Sequence, residues 1–230
     1  MTEGQRGRTW ARWAGEAIVI VVSVFVAIYL EGAADDAERV DEANGILAQI
    51  VAELTADRQA IPEILEQQAV AAGTYGSLLR WLTDSQSVPG DSVQAALDYL
   101  RDNNRTLYPI SGAWRALMSG GHLVWIRDQR LVARLAAFYE NRTVQLEYNG
   151  RDYDFNLNDV LRVTASRAWD FERQSPRANG TSDLVELRGQ LRYLGESWNP
   201  YYVSLLSQYG TEIDELLREL EAYLSGGGDT

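Results

Sequence analysis

The chain contains no cysteine and no lysine, a single histidine (His122), and only five prolines and two methionines in 230 residues. Without cysteine, disulfides, thiol catalysis and thiolate metal sites are excluded together. One histidine rules out zinc sites built on two or three His ligands within one chain. All 21 basic residues are arginine, against 33 Asp and Glu, for a formal net charge of −12. Phosphate backbones repel such a chain, and no basic patch offsets this, so nucleic acid is not an expected partner. The missing lysine is read as codon bias in a GC-rich genome. Gly-x-Gly-x-x-Gly, P-loop, His-Glu-x-x-His and Gly-x-Ser-x-Gly motifs are also missing. So are segments of alternating β-branched residues, which makes the expected fold all-α. With 46% apolar and 23% charged residues the chain is globular in composition.

What is present begins with Ala17 to Leu30, fourteen residues broken only by Ser23. The run is short for a bilayer, but from Arg12 to Glu31 a helix rises roughly 28 Å, close to a hydrocarbon core. Ser23 can bond back to a carbonyl of the preceding turn. Trp10 and Trp13 stand at one end and Tyr29 at the other, where amphipathic rings favour the interface. Glu16 is tolerable because it can pair with Arg12 one turn away. Arg6, Arg8 and Arg12 precede the run, whereas Glu31, Asp35, Asp36, Glu38, Asp41 and Glu42 follow it, against Arg39 alone. The positive-inside rule then puts the N-terminus in the cytoplasm and the rest outside. A cleaved signal peptide, ending near Gly32-Ala33-Ala34, is the competing reading. An anchor is favoured because no turn-former precedes that site and the helical pattern continues through it. Within the span, Glu16, Ser23 and Ala27 fall close to one face and form the expected association face.

Beyond the span, Val40, Leu47, Leu54 and Ile61 recur every seven residues with Ala43, Ile50 and Ile64 between them, interrupted by Asp57. A bundle helix explains this seam slightly better than a self-associating stalk. Pro62 marks a kink or a new helix. SQSVPGDS (85–92) and NNRTLYPISG (103–112) read as breaks. AWRALMS (113–119) is a short helix ended by Gly120-Gly121. Asp128 caps a longer helix that carries Leu131, Leu135, Phe138 and Tyr139 on one face. The pattern weakens around Gly150, SPRANGTSD (175–183) is a loop, and Asn199-Pro200 breaks or kinks the chain again. The last helix has a stripe of Leu206, Tyr209, Ile213, Leu216, Leu217, Leu220 and Leu224.

Gly15-Glu16 ahead of an apolar run, a long amphipathic helix, and then Gly120-Gly121, Leu123, Ile126, Asp128, Leu131, Leu135 and Phe138-Tyr139 carry a resemblance. The pattern resembles a family of uncharacterised single-span bacterial membrane proteins. The chain departs from it in having Phe138 as the first aromatic of the pair, and acids and Arg in place of a Lys-rich stalk. The resemblance implies an all-helical extracytoplasmic domain and brings no activity, cofactor or catalytic residue.

Candidate chemistry is sparse. Asp152, Asp154 and Asn156 fit three positions of a calcium loop, but Leu157 replaces its glycine and Val163 its bidentate acid, so a helix start with solvated acids is preferred. His122 lacks a nearby nucleophile or Asp partner in sequence. Asp35-Asp36 and Glu212 with Glu215 are expected to be solvated. No catalytic residue, metal or cofactor is assigned. Trp114, Trp125, Tyr139, Trp169, Trp198, Tyr201 and Tyr202 are many rings for a helical domain, and WNPYY sits at an expected break. Trp198, Tyr201 and Tyr202, with His122 and Arg115, are the expected partner or ligand surface.

The sequence therefore predicts an all-α protein of the bacterial inner membrane: a cytoplasmic tail over 1–12, a transmembrane helix over 13–34, an extracytoplasmic helical domain over 35–224 and a disordered tail over 225–230. Its expected partners are the lipid bilayer and either itself or another envelope membrane protein. The expected role is that of a non-enzymatic scaffold or accessory subunit. The alternative is a periplasmic small-ligand sensor module with no output domain of its own, with an enclosed pocket expected near Arg115, His122 or Arg167.

Overall fold

The computed structural model describes residues 35–83, 90–178 and 180–226, together with the helical backbone of the first helix from Glu3. The side chains of Glu16, Ser23 and Ala27, and thus the expected association face of the span, lie outside the described residues. Among the described residues no helix is long and apolar enough to cross a membrane.

The fold is all-α. Helix α1 (Glu3–Thr83) is followed by α2 (Gly90–Asp102), α3 (Gly112–Ser119), a 3-10 turn (His122–Trp125), α4 (Gln129–Ala137), α5 (Val144–Asp159), α6 (Ala165–Ala168), α7 (Thr181–Tyr193) and α8 (Asn199–Gly226). A two-residue hairpin, β1 (Trp169–Asp170) with β2 (Ser175–Pro176), turns the chain back between α6 and α7. Helices α4, α5 and α6 are joined by π-helical segments (Phe138–Thr143 and Val160–Thr164) rather than by loops, and α7 joins α8 through a third (Leu194–Trp198). Three rods result: α1, residues 129–168 and residues 181–226. The second spans about 58 Å and matches the stretch of α1 from 43 to 82, so the rods can bury each other along their whole length.

On α1 the buried positions are Ala43, Leu47, Ile50, Leu54, Asp57, Ile61, Ile64, Gln68, Ala71, Tyr75, Leu78 and Leu82. Their spacing alternates strictly between four and three, the period that keeps one stripe of a helix facing its neighbours. The third rod answers with Asn199, Tyr202, Leu206, Tyr209, Ile213, Leu216 and Leu220. It runs antiparallel to α1: Asn199 meets Gln68, Tyr209 meets Asp57, and Arg58 pairs with Asp214 at 2.7 Å. The heptad-like seam is thus the seam of a bundle helix covered by its own chain. Two apolar clusters fill the interior, one around residues 43–64 of α1 and one around 71–82.

Several expected boundaries move. Pro62 lies inside α1, which runs on through it. Asn199-Pro200 does not break the chain; in the π turn before it, Asn199 N–H donates to Leu194 O, and the helix passes into α8. Asp152, Asp154 and Asn156 lie within α5, not at a helix start, and that helix is unbroken at Gly150. Helix α8 includes Ser225 and Gly226, at the start of the expected tail. The π segments leave a signature in the burial pattern. Each adds a residue to a turn: in the first two, adjacent residues are buried together, as in Phe138–Tyr139, Val160–Leu161 and Thr164–Ala165, and across the third the buried positions Leu194 and Asn199 stand five apart.

Candidate functional site

Nine residues between α2 and α3, Asn103 to Ser111, have no regular structure and cross the bundle where the two apolar clusters meet. Such a segment must find partners for its backbone groups or leave them unsatisfied. Pro109 removes one donor and biases Tyr108 towards an extended conformation. Side chains of the rods satisfy others. Leu107 N–H donates to Tyr202 Oη at 2.6 Å, Ile110 N–H donates to the Asp57 carboxylate at 3.2 Å, and Arg105 O accepts from Gln68 Nε2 at 2.8 Å. Just beyond, Ala113 N–H at the start of α3 donates to Glu53 at 3.0 Å. From Arg105 to Ala113 an extended chain reaches about 26 Å. From Gln68 back to Glu53, α1 covers about 22 Å. The strap therefore lies nearly straight along α1, in the reverse direction.

Asp154 of α5 clamps the strap from the other side, accepting from Asn104 Nδ2 (2.6 Å), Thr106 Oγ1 (2.7 Å) and Tyr108 Oη (2.7 Å). The carboxylate that suggested a calcium loop is a strap anchor, and Asn156 donates to Asp152 O within its own helix. Among the described residues no group of three or more acids or histidines is placed to hold a metal. Behind the strap, Asn199 Nδ2 donates to Gln68 Oε1 at 2.8 Å, the Tyr75 and Tyr153 hydroxyls are paired at 3.1 Å, and Tyr153 stacks on Tyr202 at 5.8 Å.

Tyr202, expected on a partner surface, is instead fully buried, with its hydroxyl on Leu107 N–H. Tyr202→Phe removes the acceptor and keeps the ring, which strands a buried N–H. A loss of about 1–3 kcal/mol in urea unfolding is expected, and an unchanged midpoint would mean that water replaces the hydroxyl.

Asp57 is the most perturbed acid. Burial pushes its carboxyl up to about 6, against the lowering effect of Ile110 N–H and Tyr209 Oη, and the nearby Glu53 raises it further. Tyr209, 3.1 Å away, is raised by its own burial and by Asp57. Four rings close this region: Phe138 stacks on Tyr209 at 4.9 Å, Trp114 on Tyr139 at 5.1 Å, and Phe138 meets Tyr139 edge-on. Tyr139 Oη is buried without a hydrogen-bond partner, and burial, with Glu53 and Asp57, raises its pKa.

The mid-chain sequence pattern now has a physical account. Gly121 takes φ +71°, which a side chain resists, and a Cβ on Gly120 would lie 2.3 Å from the His122 ring. Ile126 is buried, and Asp128 caps α4 by accepting from Arg130 N and Leu131 N, as its position before an apolar stripe predicts. Leu131 and Leu135 run along the seam to the Phe138–Tyr139 rings. The pattern is a turn, a cap, a seam and a ring cluster.

The other expected site residues are not gathered together. Arg115 is exposed and folds back onto Ser111, its guanidinium 2.9 Å from Ser111 Oγ. His122 is half-buried, with Nδ1 3.8 Å from Glu42 Oε2. Arg167 pairs with Glu186. Glu212 and Glu215, expected to be solvated, pair with Arg142 and Arg134 along a groove of about 610 Å³. Trp198 is half-buried between Tyr193 and the exposed Tyr201.

A more extended surface was missed. Val144, Tyr148, Phe155 and Val163 lie along the outer side of α5 and its π extension and are 54%, 69%, 70% and 44% exposed. With Arg151, Asn158 and Arg162, the residues Val144, Tyr148 and Phe155 form a line of exposed positions at alternating four- and three-residue steps, and Val163 follows next to Arg162 in the π segment. Helix α5 buries Leu146, Tyr153 and Leu157 on the opposite side, so it is apolar on two faces. That double pattern, legible as a weakening of the periodicity near Gly150, was the available signal. Comparison of the chain with protein-family models, with curated proteins and with solved structures gives no match.

Proposed function

We propose that this is a membrane-anchored helical scaffold or accessory subunit, and that it engages another envelope protein through the outer face of α5. The span over 13–34, the cytoplasmic N-terminus and the outward domain follow from the apolar run and from the arginines that precede it. The resemblance to uncharacterised single-span bacterial membrane proteins points the same way. The observation that carries the role is the exposed stripe of Val144, Tyr148, Phe155 and Val163, a helix seam with no partner within the described chain. Aromatic residues at such a seam are the usual anchors of an interface. The ligand-sensor alternative has less support, since Arg115, His122 and Arg167 are each engaged by separate neighbours.

The test is the mass and composition of the complex extracted from native membranes in mild detergent. The expected result is a stoichiometric assembly that Tyr148→Glu with Phe155→Glu weakens by at least about 30-fold. Because both side chains are exposed, the double variant should unfold within about 0.5 kcal/mol per site of the wild type. A chain that runs alone before and after the substitutions would overturn the reading.

A further inference from the structure

The end of the domain from which α1 points back towards the expected span is capped by the 3-10 turn His122–Trp125. Its height on α1 is fixed by contacts. Arg39 Cζ lies 5.1 Å from the centroid of the Trp125 ring, and His122 Nδ1 lies 3.8 Å from Glu42 Oε2. The C-terminal end of α8 reaches the same place, where Tyr223 Oη accepts from Arg127 N–H. At this end Val124 is 76% exposed, an apolar point among charged neighbours.

We infer that this tip rests at the outer edge of the headgroup layer of the bilayer, with Val124 as the inserted side chain and Trp125 beside it. The inference rests on the reading of residues 13–34 as a membrane span. Arg39 is five residues past Ala34, so the Trp125 ring stands about 7.5 Å of helix rise beyond the hydrocarbon edge. The polar layer on each side of the hydrocarbon is itself roughly 5–7 Å deep. The backbone of α1 is helical throughout this interval, so no flexible linker separates the tip from the span. The Trp125 ring thus stands at the outer edge of the polar layer, between headgroups and water, and Val124 is the side chain that enters it.

Charge argues that the contact is apolar. Asp35, Asp36, Glu38, Asp41 and Glu42 surround the α1 side of the tip, against Arg39, and Asp128 stands with Arg127 and Arg130 on the other. Such a mixture is not drawn to anionic lipid, so added phosphatidylglycerol should not deepen the insertion.

The full chain has no cysteine, so single-cysteine variants can be spin-labelled cleanly. Val124→Cys, Ala27→Cys and Ser207→Cys would be reconstituted separately in phosphatidylethanolamine and phosphatidylcholine vesicles, and their accessibility to oxygen and to a water-soluble nickel chelate compared. The expected result is nickel accessibility several-fold lower at 124 than at 207, an exposed site on α8, with oxygen accessibility retained. Equal nickel accessibility at 124 and 207 would overturn the inference, as would a label at 124 shielded from both probes, which marks protein contact with another copy. A label at 27 that reads as aqueous would instead remove the anchor reading and this inference with it.

Discussion

Asp57→Asn is expected to change the pH dependence of stability by of the order of 3 kcal/mol between pH 4 and pH 7.5. The carboxyl titrates near 6 in the fold, against 3.8 as its ordinary value, because it is 2% exposed and its burial disfavours the charge. The sign follows from proton binding. Below about pH 4 both the folded and unfolded states hold the proton, and the group costs nothing. As pH rises from about 4 to about 6 the unfolded chain ionises first, so the folded state loses stability relative to it. Above about 6 the loss is complete, at about 1.4 kcal/mol for each unit between the two values. Asparagine keeps an acceptor for Ile110 N–H and Tyr209 Oη and cannot ionise, so the variant lacks this loss. In thermal melts the difference between variant and wild type should move by several degrees in favour of the variant as pH is raised through this window. Parallel profiles would show that Asp57 ionises in the fold as an exposed acid does.

The same residue shows how far the sequence could be read. Val40, Leu47, Leu54 and Ile61 marked a seam, and Asp57 looked like its interruption. Asp57 and Gln68 occupy seam positions by strict three-and-four spacing, and both are buried. They are polar because the element that packs there is an extended strap with backbone groups to satisfy, not a helix with its own bonds made. Nothing in residues 50–70 announces the strap, since its partners lie 37 to 53 residues further on. On α8 the information was present. The stripe that begins visibly at Leu206 extends backwards by four and three residues to Tyr202 and Asn199. Taking Pro200 as a break hid it, and with it the burial of Tyr202. The π turns were not legible, because adjacent buried residues such as Phe138–Tyr139 look like any apolar pair until the register on both sides is known. The exposed line on α5 was obscured for the converse reason. A helix with apolar residues on two faces has weak periodicity on either.

Gly195→Ala is expected to destabilise the fold by about 2–3 kcal/mol, whereas Gly210→Ala should cost less than about 1 kcal/mol or stabilise slightly. Both glycines lie in the third rod, facing α1, and differ in what a side chain would meet. A Cβ at 195 would lie 2.6 Å from Tyr75 Cβ and 2.9 Å from its Cγ. That part of the ring cannot swing aside, because Tyr75 is 1% exposed and its hydroxyl is paired with Tyr153. The rods would have to separate. A Cβ at 210 meets Ile61 Cδ1 at 3.2 Å, the free end of a side chain that can turn, and gains helix propensity in return. Urea unfolding of the two variants measures the contrast, and equal midpoints would show that the π turn does not pack closely on α1. The contrast also bears on the strap. Four residues beyond Gly195, Asn199 donates to Gln68, which in turn donates to Arg105 O. Forcing the rods apart at 195 therefore pulls at the pins that hold the strap, and the two losses should be cooperative: Tyr202→Phe in the Gly195→Ala background should cost less than it does alone, since part of that contact is already gone.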